Sequence, residues 1–285
     1  MILDGKKLLI TGVLDPRSIA FTAARLAQEQ GAEVVLTGFG RGIRLTNRSA
    51  GRLDPVPDVL EMDVTQPEQV AAVVADLEQR WGRVDGILHA IGFAPNVCIG
   101  DDFFAPEWDD VATAMQISTF SLGVLARDFR HLLAASDHGA LVGLTFDATV
   151  TWPGYNWMGV AKAGLESLSR YLSRELGPDG TRVNLVAAGP LHTMAARSIE
   201  GFGNFDDMWT DRAPLGWDLR DPEPVGRNIV ALLSDWTLGV TGEILHVDGG
   251  VHATGAPMPP ADPSDADQDA DPDADPGADE QATAD

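Results

Sequence analysis

The stretch Lys7-Leu8-Leu9-Ile10-Thr11-Gly12-Val13-Leu14-Asp15-Pro16-Arg17-Ser18-Ile19-Ala20 decides how the chain folds. An apolar run of strand length ends in a turn that carries a glycine. Ser18 then stands where later glycines of such a loop would be expected, ahead of the Ala-rich segment Ile19–Gln30, which closes at Gly31. Strand, turn and helix start in this order form a cradle for a pyrophosphate, because the first amides of a helix lack intrahelical partners and its dipole favours an anion. The usual G-x-G-x-x-G is absent and Gly12 stands alone, so the cradle needs support from the rest of the chain.

Support comes from the pattern downstream. Short apolar runs recur at Glu33–Thr37, Val59–Met62, Gly86–Ala90, Ala140–Thr145, Arg182–Ala187 and Glu243–Val247, and with Lys7–Ile10 they read as strands buried on both faces. Helical segments lie between them. Gln66–Arg80 starts with Thr65 as N-cap and Glu68 as its capping-box partner, Gly159–Leu176 stops at Gly177-Pro178, and Glu223–Leu233 follows Asp221-Pro222. Strands alternating with helices predict an α/β fold: one Rossmann-like domain over residues 1–255, with a seven-stranded parallel, doubly wound sheet.

Residues 256–285 break the pattern. They hold nine Asp, one Glu, six Pro and no Lys or Arg, so they carry −10 of the net charge of −23. Such a composition cannot bury enough apolar surface to offset ordering entropy, and a disordered acidic tail is expected. The remaining −13 still argues against non-specific binding to nucleic acid or to anionic membrane. A single cysteine, Cys98, excludes a disulfide framework, and no metal site is expected. Neither a secretory leader nor a membrane-spanning run is visible, which makes the cytoplasm the expected location.

Site candidates follow the strand ends. After the second strand comes Gly38-Phe39-Gly40-Arg41, without the Asp or Glu that would bind an adenosine 2′-hydroxyl. Phe39 lines an adenine pocket or packs helix on sheet; Arg41 and Arg44 meet a 2′-phosphate or are solvated. Asp63 accepts from an adenine amino group or closes a turn before Pro67. Gly92 lets backbone approach a ribose, while His89 reads as a structural histidine. Tyr155 and Lys162 are seven residues apart, two helical turns, and share a face if their helix begins near Tyr155. A phenol beside an ammonium has a lowered pKa and donates a better hydrogen bond to a developing oxyanion; the alternative is a surface pair.

Several motifs then become recognisable. Thr11-Gly12, Asn184, Ala188-Gly189-Pro190 and Thr241-Gly242 with Val247-Asp248-Gly249-Gly250 resemble the short-chain dehydrogenase/reductase framework. The Y-x6-K spacing, in place of Y-x3-K, and the Gly12-x5-Ser18-Ile19-Ala20 loop resemble its divergent enoyl-acyl-carrier-protein reductases. Tyr155-Asn156-Trp157-Met158, Arg212-Ala213-Pro214 and Leu232-Leu233-Ser234-Asp235-Trp236 are similar to the mycobacterial NADH-dependent branch of that family, over about residues 2–252.

The resemblance implies reduction of trans-2-enoyl thioesters on acyl-carrier protein, or on coenzyme A, in type II fatty-acid synthesis. It implies Tyr155 on the thioester carbonyl, Lys162 on the nicotinamide ribose and Phe146 beside the hydride-transfer site. Gly12, Ser18, Ile19, Phe39, Asp63, Val64, Ile91, Gly92, Leu191 and Thr193 would contact the cofactor. It also implies NADH, with NADPH left open because Gly40 stands where the family has Asp, and a homotetramer. The substrate loop falls near residues 194–215. It looks short, and Phe202, Phe205, Met208 and Trp209 either line it or pack a helix pair. Two other readings compete: a 3-ketoacyl or carbonyl reductase of the same superfamily, and an inactive nucleotide-binding regulatory protein.

Overall fold

The computed structural model describes residues 1–100, 102–194, 196 and 204–256, without the side chains of 204–207. Phe202, the side chain of Phe205 and all of the acidic tail beyond Ala256 lie outside the described residues.

Among the described residues, seven strands form one sheet: β1 (Lys7–Ile10), β2 (Glu33–Gly38), β3 (Val59–Glu61), β4 (Gly86–His89), β5 (Ala140–Thr145), β6 (Arg182–Ala188) and β7 (Ile244–Val247). Their order is β3-β2-β1-β4-β5-β6-β7, and every neighbouring pair is parallel. Alternate side chains of each strand enter opposite layers. Leu8, Ile10, Val34, Leu36, Leu88, Val142 and Val186 join one core cluster, whereas Leu9, Val35, Ile87, Leu141 and Leu185 join the other. Helices α1 (Ile19–Glu29) and α2 (Ile43–Ala50) cover the first side with a later helix, Glu223–Leu233. On the second side α3 (Pro67–Trp81) lies on the sheet and α4 (Trp108–Met115) packs on α7 (Asn156–Leu176), which covers the sheet together with α5 (Ser121–Asp128) and α6 (Arg130–Ala134). Helix α8 (Asn204–Arg212) leads from the substrate-loop region toward α9, the helix Glu223–Leu233. No helix of the described residues is long and apolar enough to cross a membrane.

Two local expectations need correction. Thr65 is not the N-cap of α3: Gln66 is, without a side-chain capping bond, because Asp63 Oδ1 takes the Thr65 amide at 2.9 Å and its hydroxyl at 2.7 Å. Helix α7 starts at Asn156 rather than at Gly159, with Tyr155 as its N-cap residue. That earlier start meets the condition for Tyr155 and Lys162 to share a face.

The order of strands reverses between β1, whose successor β2 lies on one side, and β4 on the other. Ligands of doubly wound sheets bind in the crevice at such a switch point, beyond the C-terminal strand ends. Gly12 sits there with φ +80°, and a Cβ at this position would lie 2.0 Å from the Ala90 carbonyl oxygen. The turns after β1 and β4 pass so close that only glycine fits.

Candidate active site

All seven strands point the same way, so residues that follow them share one edge of the sheet. Gly12 follows β1, Phe39 follows β2, Asp63 and Val64 follow β3, and Ile91 and Gly92 follow β4. Phe146 follows β5, and Leu191 and Thr193 follow β6. Ser18 caps α1: its Oγ accepts from the Phe21 amide at 3.2 Å and donates to the Asp15 carbonyl at 2.8 Å. The amide of Ile19 lies in the first turn, where it lacks an intrahelical acceptor.

Lys162 is buried, 7 % exposed, and its Nζ donates to the Leu144 carbonyl at 2.9 Å. A methyl on Gly92 would stand 3.7 Å from that Nζ and 4.0 Å from Ser118 Oγ. The structure therefore brings Lys162 and Gly92 together. Ser118, which the motifs did not single out, fixes this contact: its hydroxyl donates to the Phe93 carbonyl at 2.7 Å and accepts from the Phe93 amide at 2.8 Å. Ser118 lies in a π-helical turn, Gln116–Phe120, inserted between α4 and α5, a feature that spacing along the sequence does not reveal.

Burial lowers the Lys162 pKa to about 8, against the nearby charge of Glu166, which raises it. Tyr155 is 8 % exposed, and its hydroxyl has no hydrogen-bond partner among the described residues. Burial pushes its phenol up, not down. The expectation of a phenol acidified by the ammonium is thus corrected: desolvation of the phenolate sets the direction. A protonated phenol is a hydrogen-bond donor, which is the form an oxyanion requires.

Backbone geometry aims this phenol. Asn156, next to Tyr155, has φ +41°, the left-handed region that side chains other than glycine rarely adopt. Its side-chain amide donates to the Gly100 carbonyl, while the Gly100 amide donates to the Gly154 carbonyl at 2.9 Å. The residues on either side of Tyr155 are therefore clasped to one loop.

An aromatic cluster forms the wall opposite. Phe146 meets Tyr155 at 5.3 Å between ring centroids, nearly edge to face, and Trp152 at 5.0 Å. Trp209, 1 % exposed, lies 5.8 Å from Phe146 and 5.2 Å from Trp152. Trp209 thus joins the aromatic wall from α8. Trp152 was missed in the sequence because it lies in an irregular loop with no periodicity to mark it. Beyond Trp152 opens a cavity of about 240 Å³, lined also by Asp147, Thr149, Met208, Arg212 and His252.

Other candidates resolve individually. Phe39 is 54 % exposed and so does not pack helix on sheet. Arg41 and Arg44 are exposed. Asp63 closes the turn before Pro67 with Oδ1, and its other carboxylate oxygen makes no hydrogen bond within the described residues. Leu191 is buried, and Thr193 Oγ1 accepts from the Ala196 amide at 3.2 Å. His89 is fully buried, and burial followed by the Lys162 charge lowers its pKa to about 3. The single Ser121 hydroxyl proton goes to the Ile117 carbonyl at 2.6 Å. His89 Nε2 must therefore donate to Ser121 Oγ at 2.7 Å, as a neutral structural ring.

The family model for enoyl-(acyl carrier protein) reductase matches residues 12–252. The chain belongs to the enoyl-acyl-carrier-protein reductase family. It is 41 % identical to the enoyl-[acyl-carrier-protein] reductase [NADH] of Mycolicibacterium smegmatis, a match covering 87 % of this chain and 97 % of that protein. It is 39 % identical to the protein of the same name from Mycobacterium avium, over 87 % of this chain and 97 % of that one. A relative from Neisseria meningitidis, also named for NADH, is 38 % identical over 87 % and 95 %.

The residues of this chain fit a dinucleotide. Gly12 and Gly92 present bare backbone, α1 offers unpartnered first-turn amides, and Asp63 keeps an acceptor. Lys162 has one bonded and two further N–H groups beside Gly92.

Proposed function

We propose that this chain is an NADH-dependent enoyl-acyl-carrier-protein reductase that saturates trans-2-enoyl thioesters in type II fatty-acid synthesis. The observation that carries the reading is the buried Tyr155 phenol, without a hydrogen-bond partner among the described residues and set against Phe146, two helical turns before Lys162. When bound, NADH would supply the hydride for C3 of the enoyl group, and a proton from solvent at C2 would complete the saturated thioester. Tyr155 donates a hydrogen bond to the thioester carbonyl and stabilises the enolate as charge reaches that oxygen. Lys162 holds the ribose hydroxyls with its two remaining N–H groups. Phe146 and Trp209 orient the apolar substrate and exclude water. Gly12, Ser18 and Ile19 hold the pyrophosphate; Ile91, Gly92, Leu191 and Thr193 contact the nicotinamide half; Phe39, Asp63 and Val64 contact the adenosine half. Gly40 leaves the turn after β2 without the carboxylate that the family has there, so NADPH is tested beside NADH.

On this reading residues 1–255 are one reductase domain, supported by the family match over 12–252. The partner is acyl-carrier protein bearing the enoyl chain, and the enzyme works in the cytoplasm as a homotetramer, as its family resemblance implies. The test is loss of NADH absorbance with crotonyl and dodecenoyl thioesters. Turnover of acetoacetyl thioester alone would instead make the chain a 3-ketoacyl reductase. NADH binding with no turnover of either would make it a nucleotide-binding regulator.

A further inference from the structure

Glu166 lies one helical turn beyond Lys162 on α7, and nothing in the reaction above uses it. It is 5 % exposed, and burial pushes its carboxyl pKa up, with Asp147 adding to the rise. A buried carboxyl is costly to folding, and an apolar side chain of similar volume would fill the space without that cost. Its hydrogen bonds suggest another use. One oxygen, Oε1, accepts from the Thr145 hydroxyl at 3.1 Å and from the Ala148 amide at 3.1 Å. Those two donors bracket Phe146.

The Thr145 hydroxyl has a longer alternative acceptor in the Phe146 carbonyl at 3.3 Å, and Asp147 Oδ1 lies 3.8 Å from His246 Nε2 of β7; the other bonds of this turn are local. Trp152 donates to the Asp147 carbonyl at 2.6 Å, and Thr149 donates to Asp147 Oδ1 from its amide at 3.0 Å and its hydroxyl at 2.7 Å. Lys162 holds only the preceding residue, through the Leu144 carbonyl. Among the described residues, the hydrogen bonds from α7 that bracket Phe146 are those of Glu166.

We propose that Glu166 is a positioning residue that fastens the Phe146 turn to the helix bearing Tyr155 and Lys162, and thereby sets the gap in which the enoyl group is reduced. The proposal rests on the reading of Phe146 and Tyr155 as the reaction site. A tether of this kind acts on geometry: small displacements of positioning groups reduce rate more than affinity.

Two substitutions separate tether from charge. Glu166→Gln keeps the side-chain oxygen that accepts both bonds, whereas Glu166→Ala removes it. Hydrogen exchange at the Ala148 amide reads the tether directly and needs no turnover. NADH affinity is read by fluorescence, and kcat and KM are measured with dodecenoyl thioester.

In Glu166→Ala, Ala148 exchange should quicken and kcat should fall roughly ten- to a hundredfold, with KM and the NADH Kd changed by less than about threefold. Glu166→Gln should restore both protection and kcat to within about threefold of the parent. Loss of protection with kcat intact overturns the positioning role, and equal loss of kcat in both variants overturns the tether in favour of charge. If Glu166→Ala does not fold, Thr145→Val, which removes one of the two donors, decides: kcat should fall several-fold, and an unchanged kcat overturns the proposal. Failure of the parent enzyme to reduce any enoyl thioester refutes the functional reading instead, while Ala148 exchange still reports the tether.

Discussion

The two ends of the candidate site are built by opposite means. Around β1 and β4 the chain exposes backbone: Gly12 and Gly92 lack side chains, and α1 presents its first amides. Around β5 and α7 it buries side chains instead: Tyr155, Lys162 and Glu166 are each under a tenth exposed, beside Phe146 and Trp209. The backbone end suits a large polar cofactor, which backbone amides bind without cost to side-chain entropy. The buried end suits chemistry, because desolvation keeps the phenol protonated and makes every remaining dipole count for more. If this division holds, substitutions at one end should cost affinity or stability and those at the other should cost rate.

The largest effect is expected at the buried end. Tyr155→Phe should lower kcat by about 100- to 1000-fold, the worth of one oxyanion donor, while NADH titration stays within about twofold of the parent. Equal losses in rate and NADH binding would erase the contrast between the ends.

Next comes Gly12→Ala. Its new methyl meets the Ala90 carbonyl at a positive φ, so the variant should lose more than about 2 kcal/mol of unfolding free energy, measured by urea titration, and should bind NADH poorly. A stable Gly12→Ala enzyme would show that the turns after β1 and β4 are not tightly apposed.

Lys162 joins the two ends, and its effect is smaller and depends on pH. The ammonium is present below about pH 8 and is lost as pH rises through that value. NADH affinity should therefore weaken above pH 8 and stay flat with pH in Lys162→Gln. An alkaline limb that survives the substitution would assign the titration to another group.

Ser18→Ala should have the smallest effect, about 1 kcal/mol of stability through the lost cap, with a matching modest rise in the NADH Kd. A loss confined to kcat there would contradict the division.

The same contrast explains how much was legible beforehand. The strands β1 and β5 run between the residues at which the apolar runs begin and end, and the other five differ by one residue at an end. Helices α1, α3 and α9 were likewise visible, since glycine, proline and capping residues punctuate them. Helices α2, α4, α5 and α6 were not singled out: they are short, and the π-helical turn between α4 and α5 interrupts the periodicity.

Among the site residues, Gly12, Tyr155 and Lys162 follow from spacing. Glu166, four residues after Lys162, was within reach of the same helical arithmetic. Ser118 was not, because it joins the site from a segment distant in sequence, and Trp152 was not, because its loop has no periodicity; Trp209 was legible only as a residue of the substrate loop, without its place beside Phe146.

The sequence by itself determined the alternation of strands and helices, the sheet edge on which the site lies, and the pairing of Tyr155 with Lys162. All of these depend on local periodicity and on the chemistry of turns. Only the tertiary structure decided the charge state of that pair. Spacing alone suggests an acidified phenol, yet burial raises Tyr155 and lowers Lys162. Desolvation is set by everything packed around a group, and no stretch of sequence contains that sum.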